Sequence, residues 1–124
     1  VYTAYETRIL RELAQSVPRY SDSLRATLGR FKDLHALIKK YVYHRDFHGS
    51  FSLKAVLPAL VPSMRYDNLA IQEGSLASLA FLRTLALETP EKDRKKIRES
   101  LLEYCRYDTM AMVEIREELL KRVQ

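Results

Sequence analysis

The last long helical stretch, residues 101–115, carries an acid where an apolar side chain is expected. Burying a leucine there would gain roughly 1.5–3 kcal/mol, whereas an unpaired buried charge costs several kcal/mol. Asp108 therefore needs a compensating partner, and Tyr104, one turn earlier, faces the same side. Steps of three or four residues place Asp108 within one apolar stripe, whose other members are Ile97, Leu101, Cys105, Met112, Ile115, Leu119 and Val123.

Spacing leaves two interpretations of this pair open. In the structural one, Asp108 accepts hydrogen bonds from backbone amides or from a basic side chain, and Tyr104 is an ordinary amphipathic core residue. In the chemical one, Asp108 is an oxygen ligand for a divalent cation, and Tyr104 orients or deprotonates an attacking water. That second pairing suits phosphodiester hydrolysis.

Composition limits the class of protein. A chain of 124 residues with 47% hydrophobic and 30% charged residues is long enough for one domain with a core and is not disordered. No apolar run approaches the ~20 residues of a membrane span, and we expect no secretory leader. The unpartnered Cys105 favours a reducing cytoplasm. An excess of 21 basic over 16 acidic residues favours a polyanionic partner.

The apolar periodicity predicts a mainly α chain with one or two short strands. Residues 1–3 resemble the end of a strand and residues 31–33 a second short strand, so we expect a single-domain fragment of a longer polypeptide. The helix over 74–87 is apolar around most of its circumference and is predicted to be central. The other predicted helices cover residues 4–16, 21–29, 34–42, 53–60 and the stretch from Pro90 to the end.

Short polar residues mark the predicted helix starts. Thr3 and Glu6 match a capping box, which gives Glu6 a purely structural interpretation. Asp33 and Ser52 are expected to cap the helices that follow them. Thr89, followed by Pro90, is expected to start the last helix.

The segment 43–50 alternates aromatic and basic side chains. His44 and His48 have the spacing of half a zinc site, but nothing in the sequence completes it. Contact with a phosphate chain or stacking on a base is one interpretation, and an ordinary surface loop is the other. The candidate nucleic-acid contacts are Arg45, His48 and Lys54; the basic run over 92–98 is either a solvated face or a further contact.

Five blocks of the sequence carry a family resemblance. They are Val1-Tyr2-x-x-Tyr5-Glu6-x-x-x-Leu10-x-x-Leu13-Ala14, Asp33-Leu34, Gly49-Ser50-x-Ser52-Leu53-Lys54-x-Val56-Leu57-Pro58-x-Leu60-Val61-Pro62, Tyr66-x-x-Leu69-x-Ile71-x-x-Gly74-x-x-Ala77 and Leu102-x-Tyr104-Cys105-x-x-Asp108-Thr109-x-Ala111-Met112. The chain resembles a bacterial family of unknown function that looks like a branch of the DEDD 3′–5′ exonucleases. The resemblance implies an RNase H-like fold, in a domain that often follows a RecB-like nuclease segment. The resemblance covers the C-terminal part of the family's domain, without its N-terminal strands.

The resemblance assigns roles to individual residues. The third exonuclease motif, Tyr-x-x-x-Asp, falls on Tyr104 and Asp108, and the acid of the second motif falls on Glu6, where most relatives carry Asp. Asp108 and Glu6 are then ligands for Mg²⁺ or Mn²⁺, and Tyr104 aligns the water. Asp33 is not counted as a ligand. The first motif, Asp-x-Glu, does not occur in this chain.

The expected function is therefore a fragment of a metal-dependent 3′–5′ exonuclease acting on single-stranded DNA, inactive by itself. Its expected partners are nucleic acid and the missing N-terminal strands or upstream nuclease segment. Self-association is expected through apolar surface near residues 1–5 and 74–87. The alternative is a non-enzymatic helical module, in which Tyr104 and Asp108 form a buried structural pair and the basic segments bind DNA or protein.

Overall fold

A computed structural model describes residues 1–123 and confirms the mainly α fold. Three 3₁₀ turns, Pro18–Tyr20, Arg45–Phe47 and Tyr66–Asn68, lie between the helices. The helices of the described residues are α1 (Tyr5–Ser16), α2 (Ser21–Leu28), α3 (Leu34–Tyr41), α4 (Leu53–Leu60), α5 (Gly74–Leu85) and α6 (Glu91–Lys121).

The predicted short strands do not form within residues 1–123. The chain start and the segment before α3 are nevertheless joined by two backbone bonds. The amino group of Val1 donates to the Lys32 carbonyl at 3.1 Å, and the Leu34 amide donates to the Val1 carbonyl at 3.0 Å. The pairing stops there because Thr3 turns with a left-handed φ of 73° and α1 begins two residues later.

The chain divides into two compact units, Val1–Leu60 and Val61–Gln124. In the first unit, α1 packs against α2 after a turn that starts at Pro18. Asp33 and Ser52 cap α3 and α4 as predicted, by accepting from the Ala36 amide at 3.1 Å and the Ala55 amide at 3.3 Å. The fully buried core side chains of this unit are Ile38, Phe47, Val56 and Leu57.

In the second unit, α5 packs against α6. The prediction that α5 is central is wrong for this structure, because none of its residues is buried. Thr89 does not cap α6 either, since its hydroxyl donates to the Arg83 carbonyl at 2.7 Å and closes the turn between the helices. The core is small, with Ala111 and Ile115 as its fully buried residues.

The predicted apolar stripe of α6 is confirmed in part. Ile115 is fully buried, and Ile97, Leu101, Met112 and Leu119 are half-buried, but Cys105 is exposed and Val123 is 80% exposed. The fully buried Ala111 lies outside the predicted stripe, so the buried face of α6 is shifted slightly toward Ala111. Asp108 is half-buried, so its carboxylate lies at the margin of the core.

Candidate functional site

The partner that Asp108 requires is a tyrosine from an earlier segment. Tyr66, in the 3₁₀ turn before α5, donates its hydroxyl to Asp108 Oδ1 at 2.6 Å. Tyr66 is 7% exposed, so the bond lies largely out of water. Sequence reasoning missed it because the two residues are 42 positions apart. Its signal in the sequence was Tyr66 itself, which begins one of the blocks that carry the family resemblance.

The ring of Tyr66 contacts two further tyrosine rings. The Tyr66 ring lies 5.0 Å from that of Tyr107 in an edge-to-face arrangement and 6.4 Å from that of Tyr104. Tyr107 also donates its hydroxyl to the Arg65 carbonyl at 2.7 Å. These contacts fasten residues 65 and 66 to α6. They also hold the Asp108 side chain beside Tyr104, as the spacing predicted.

Tyr66 and Tyr104 keep their protons at neutral pH. Burial raises the pKa of Tyr104 to about 12, and the nearby Asp108 charge adds to the increase. Burial also raises the pKa of Tyr66, further strengthened by its hydrogen bond to Asp108. A protonated phenol donates a hydrogen bond but is a poor base near neutral pH. Tyr104 can therefore position a water molecule by a hydrogen bond. It is not a base that could deprotonate that water near neutral pH.

Asp108 keeps acceptor capacity beyond the bond from Tyr66. A carboxylate offers about four lone-pair positions. Tyr66 occupies one of them on Oδ1, and the Tyr104 hydroxyl is a second hydrogen-bond partner of the same carboxylate. Hard oxygen ligands of this type are those that Mg²⁺ prefers. The side chain thus fits one coordination position of a cation.

Glu6 lies in the first turn of α1, but the predicted capping box is wrong. Thr3 Oγ1 accepts from the Tyr5 amide at 3.4 Å, and the cap residue Ala4 makes no side-chain cap bond. Glu6 Oε2 is buried and has no hydrogen-bond partner among the described residues. A shielded, unsatisfied carboxylate oxygen is costly. This atom therefore fits a site for a cation.

No cluster of three or more potential metal ligands is assembled within residues 1–123. Glu6 belongs to the first unit and Asp108 to the second. Asp33, which was not counted as a ligand, accepts from the amides of Ala36 and Thr3 at 3.1 and 3.3 Å. The described residues supply single oxygen ligands and no complete metal centre.

The predicted nucleic-acid contacts lie on or beside the 3₁₀ turn Arg45–Phe47. The Arg45 side chain is 90% exposed, but Asp46 lies 3.4 Å from it and offsets its charge. His48 is exposed in a left-handed conformation, and Lys54 is exposed on α4. Phe47 is only 1% exposed, so it cannot stack on a base.

Charge is distributed unevenly between the two units. Residues 1–60 contain ten lysines and arginines against five acids, whereas residues 61–124 contain eleven of each. The whole excess of +5 therefore lies in the first unit. The tyrosines that are exposed, Tyr5, Tyr20, Tyr41 and Tyr43, lie there as well. A count of charged residues by segment would have shown this uneven distribution from the sequence alone.

Residues 1–52 match the model of a family described as a domain of unknown function (DUF2779). The match includes Glu6 and helices α1 to α3, and it ends before Tyr104 and Asp108. No curated protein and no solved structure matches the chain significantly. Within the described part of the chain, every helix is too short or too polar to cross a membrane.

Proposed function

We propose that the chain contributes to a metal-dependent 3′–5′ exonuclease-like domain that hydrolyses phosphodiesters of single-stranded DNA. The proposal rests on the position of the Asp108 carboxylate. Tyr66 holds this carboxylate at the margin of the core by a hydrogen bond, and Tyr104 lies one turn away on the same helix. A half-buried acid kept in place by a protonated phenol is oriented but keeps lone pairs for a cation. The unsatisfied Oε2 of Glu6 supports the same proposal.

Each residue has a distinct role in this proposal. Asp108 and Glu6 would each hold Mg²⁺ or Mn²⁺, which supplies charge stabilisation to the attacking and leaving oxygens. Tyr104 donates a hydrogen bond that positions the water, and Tyr66 fixes the rotamer of Asp108. The remaining carboxylates come from the Asp-x-Glu motif of the complete domain. The isolated chain is therefore expected to be inactive.

The direct test is cleavage of a 3′-labelled single strand with Mn²⁺ by a polypeptide that includes the first motif. Asp108→Asn keeps the size of the side chain and an acceptor for Tyr66 but removes the negative charge. We expect it to reduce the rate by at least about 100-fold, because metal charge stabilisation is lost. Glu103→Gln, an exposed acid on the same helix, is the matched control. Equal rates for Asp108→Asn and the control would reject the role of Asp108.

A second test uses the chain itself. Its single carboxylates should bind Mn²⁺ weakly, and Asp108→Asn and Glu6→Gln should each weaken that binding further. Electron paramagnetic resonance of free Mn²⁺ measures the bound fraction directly. Unchanged binding in both variants would show that neither carboxylate is a ligand.

A non-enzymatic helical module is the second candidate, favoured by one observation. Tyr66 and Tyr107 each bond across 42 residues, to Asp108 and to the Arg65 carbonyl, and tie the segment before α5 to α6. In this candidate Asp108 is purely structural. Full cleavage by Asp108→Asn, together with lower stability of that variant, would favour it over the nuclease.

Both candidates include self-association through α5, with a second copy of the chain as the partner. Arg83 is the one charged residue in the sequence of α5, so two copies of its apolar face can meet without like-charge repulsion. The exposed apolar side chains there and on the adjoining chain form the proposed contact surface. They are Leu76, Leu79, Phe81, Leu82, Leu85, Leu87 and Leu102, each 49–94% exposed.

The free Cys105 supports a reducing compartment such as the cytoplasm. It is exposed and has no disulfide partner in the chain. An exposed thiol persists where glutathione keeps cysteines reduced. Cytoplasmic fractionation of cells expressing the protein tests this assignment.

A further inference from the structure

A cleft of about 360 Å³ lies between α1 and α2 in the first unit. Two arginines line it, Arg11 from α1 and Arg25 from α2, and no acidic side chain does. Ala14, Gln15 and Leu28 complete the lining. The opening is therefore positively charged, with an amide donor beside the two guanidinium groups.

The donors of these arginines are largely uncommitted. Arg25 donates Nε to Ser21 Oγ at 3.2 Å, which fixes the guanidinium while both terminal nitrogens keep their hydrogens for a ligand. Arg11 makes no hydrogen bond or ion pair with any described residue. The nearest acid in sequence, Glu12, is already 3.1 Å from Arg8. An oxyanion in the cleft would thus meet donors that no protein carboxylate occupies.

Exposed aromatic rings in the same unit indicate that the oxyanion belongs to a nucleic-acid strand. Tyr5, Tyr20, Tyr41 and Tyr43 are 53–84% exposed. A cation from Arg8, Arg19 or Lys40 lies 5.0–5.5 Å from the ring centre of the first three, which leaves the opposite face of each ring for a base. Flat exposed rings stack on bases, and base faces are accessible in single strands but not inside a duplex. The net charge of this unit supplies the sequence-independent attraction to a phosphate backbone.

We propose that the cleft between α1 and α2 binds a backbone phosphate of a single-stranded polynucleotide through Arg11 and Arg25. Guanidinium groups match phosphate oxygens in a two-pronged geometry that lysine lacks. The choice of single-stranded DNA as the strand rests on the proposed function. The position of the anion rests on the cleft alone.

The experiment measures fluorescence anisotropy of a labelled oligothymidylate with the full chain, in EDTA, over a range of salt concentrations. Arg11→Gln/Arg25→Gln should weaken binding about tenfold and lower the magnitude of the salt slope by about 1. The matched control is Lys32→Gln/Lys39→Gln, which removes the same charge from exposed positions of the same unit outside the cleft. It should change the affinity less than about twofold. Equal losses in the two double variants would overturn the proposal.

Two further arms test the phosphate chemistry. Arg11→Lys/Arg25→Lys keeps the charge and loses the planar fork, so it should bind between the wild type and the glutamine variant. Inorganic phosphate should compete for the cleft, and poly-glutamate of equal charge should compete less well. Full affinity in the lysine variant, or equal competition by poly-glutamate, would overturn recognition of phosphate.

The outcome is separable from that of the nuclease test. Binding is measured in EDTA, so metal-dependent cleavage does not contribute to it. A chain that binds the strand through Arg11 and Arg25 but belongs to no active nuclease would support the cleft and reject the enzyme. An active nuclease whose affinity for the strand is the same with and without both arginines would support the enzyme and reject the cleft.

Discussion

The two units differ in how completely they bury their apolar side chains. The first closes a compact core on Ile38, Phe47, Val56 and Leu57, each at most 1% exposed. The second buries only Ala111 and Ile115 completely and leaves the apolar side chains of α5 in solvent. The first unit carries the full net charge, and the second is neutral. A charged surface over a closed core suits a polyanion, whereas a neutral apolar face suits another protein surface.

The sharpest test of this difference compares two phenylalanines. Phe47→Ala should lower the free energy of unfolding by about 3–5 kcal/mol, because it leaves a cavity in the closed core. Phe81→Ala should cost less than about 1 kcal/mol, since that ring on α5 is 54% exposed. Urea unfolding measures both. Similar losses would mean that α5 is as well buried in solution as the first core.

The apolar face of α5 gives the next largest effect. Leu79→Glu/Leu82→Glu places two like charges on each copy at the proposed contact, and should weaken self-association by about 100-fold or more. Light scattering across a dilution series measures it. Ser75→Glu/Ser78→Glu adds the same charge to polar positions of the same helix as a control. A monomeric mass for the wild type at every concentration would remove the proposed contact.

The Tyr66–Asp108 bond tests what holds the second unit together. Tyr66→Phe should cost about 1–2 kcal/mol, because a charged acceptor loses a donor near the core. Tyr20→Phe, at a 53% exposed ring, is the control and should cost almost nothing. Equal stability of the two variants would mean that the bond contributes little.

The same bond predicts how stability depends on pH. The pKa of Tyr66 and of Tyr104 is raised above the unfolded value near 10, to about 12 for Tyr104. The folded state then binds more protons than the unfolded state above about pH 10, so stability should fall as pH rises from about 10 to 12. Urea midpoints across this window measure the slope, which Tyr66→Phe should reduce. A slope unchanged in the variant would contradict the contribution of Tyr66.

Helix starts give the smallest difference between the units. Ser52→Ala should cost about 1 kcal/mol, because its hydroxyl accepts from the Ala55 amide. Pro90→Ala should stay within about 0.5 kcal/mol, since the start of α6 has no side-chain cap bond to lose. Thermal unfolding resolves differences of this size. A larger loss at Pro90 would show that the start of α6 depends on its rigid backbone.

The helices could be read from the sequence because their signals are local. Periodicity and caps such as Asp33 act within four residues, and the structure confirms most helix bounds to within one or two residues. The buried side of a long helix was harder to predict than its bounds. Steps of three or four residues leave its exact rotation open, and Cys105, which was placed on the apolar stripe of α6, is exposed. The Tyr66 partner of Asp108 could not be predicted, since no local pattern links residues 42 apart.

The exposed Cys105 offers a practical consequence of the way α6 is rotated. It is the only thiol in the chain, so a maleimide or nitroxide probe attaches at one position without any engineered substitution. Three residues along a helix correspond to about 4.5 Å of rise, which puts the probe within a turn of the Asp108 carboxylate. Paramagnetic Mn²⁺ bound there would broaden or quench its signal. The protein thus carries its own spectroscopic reporter beside the carboxylate in question.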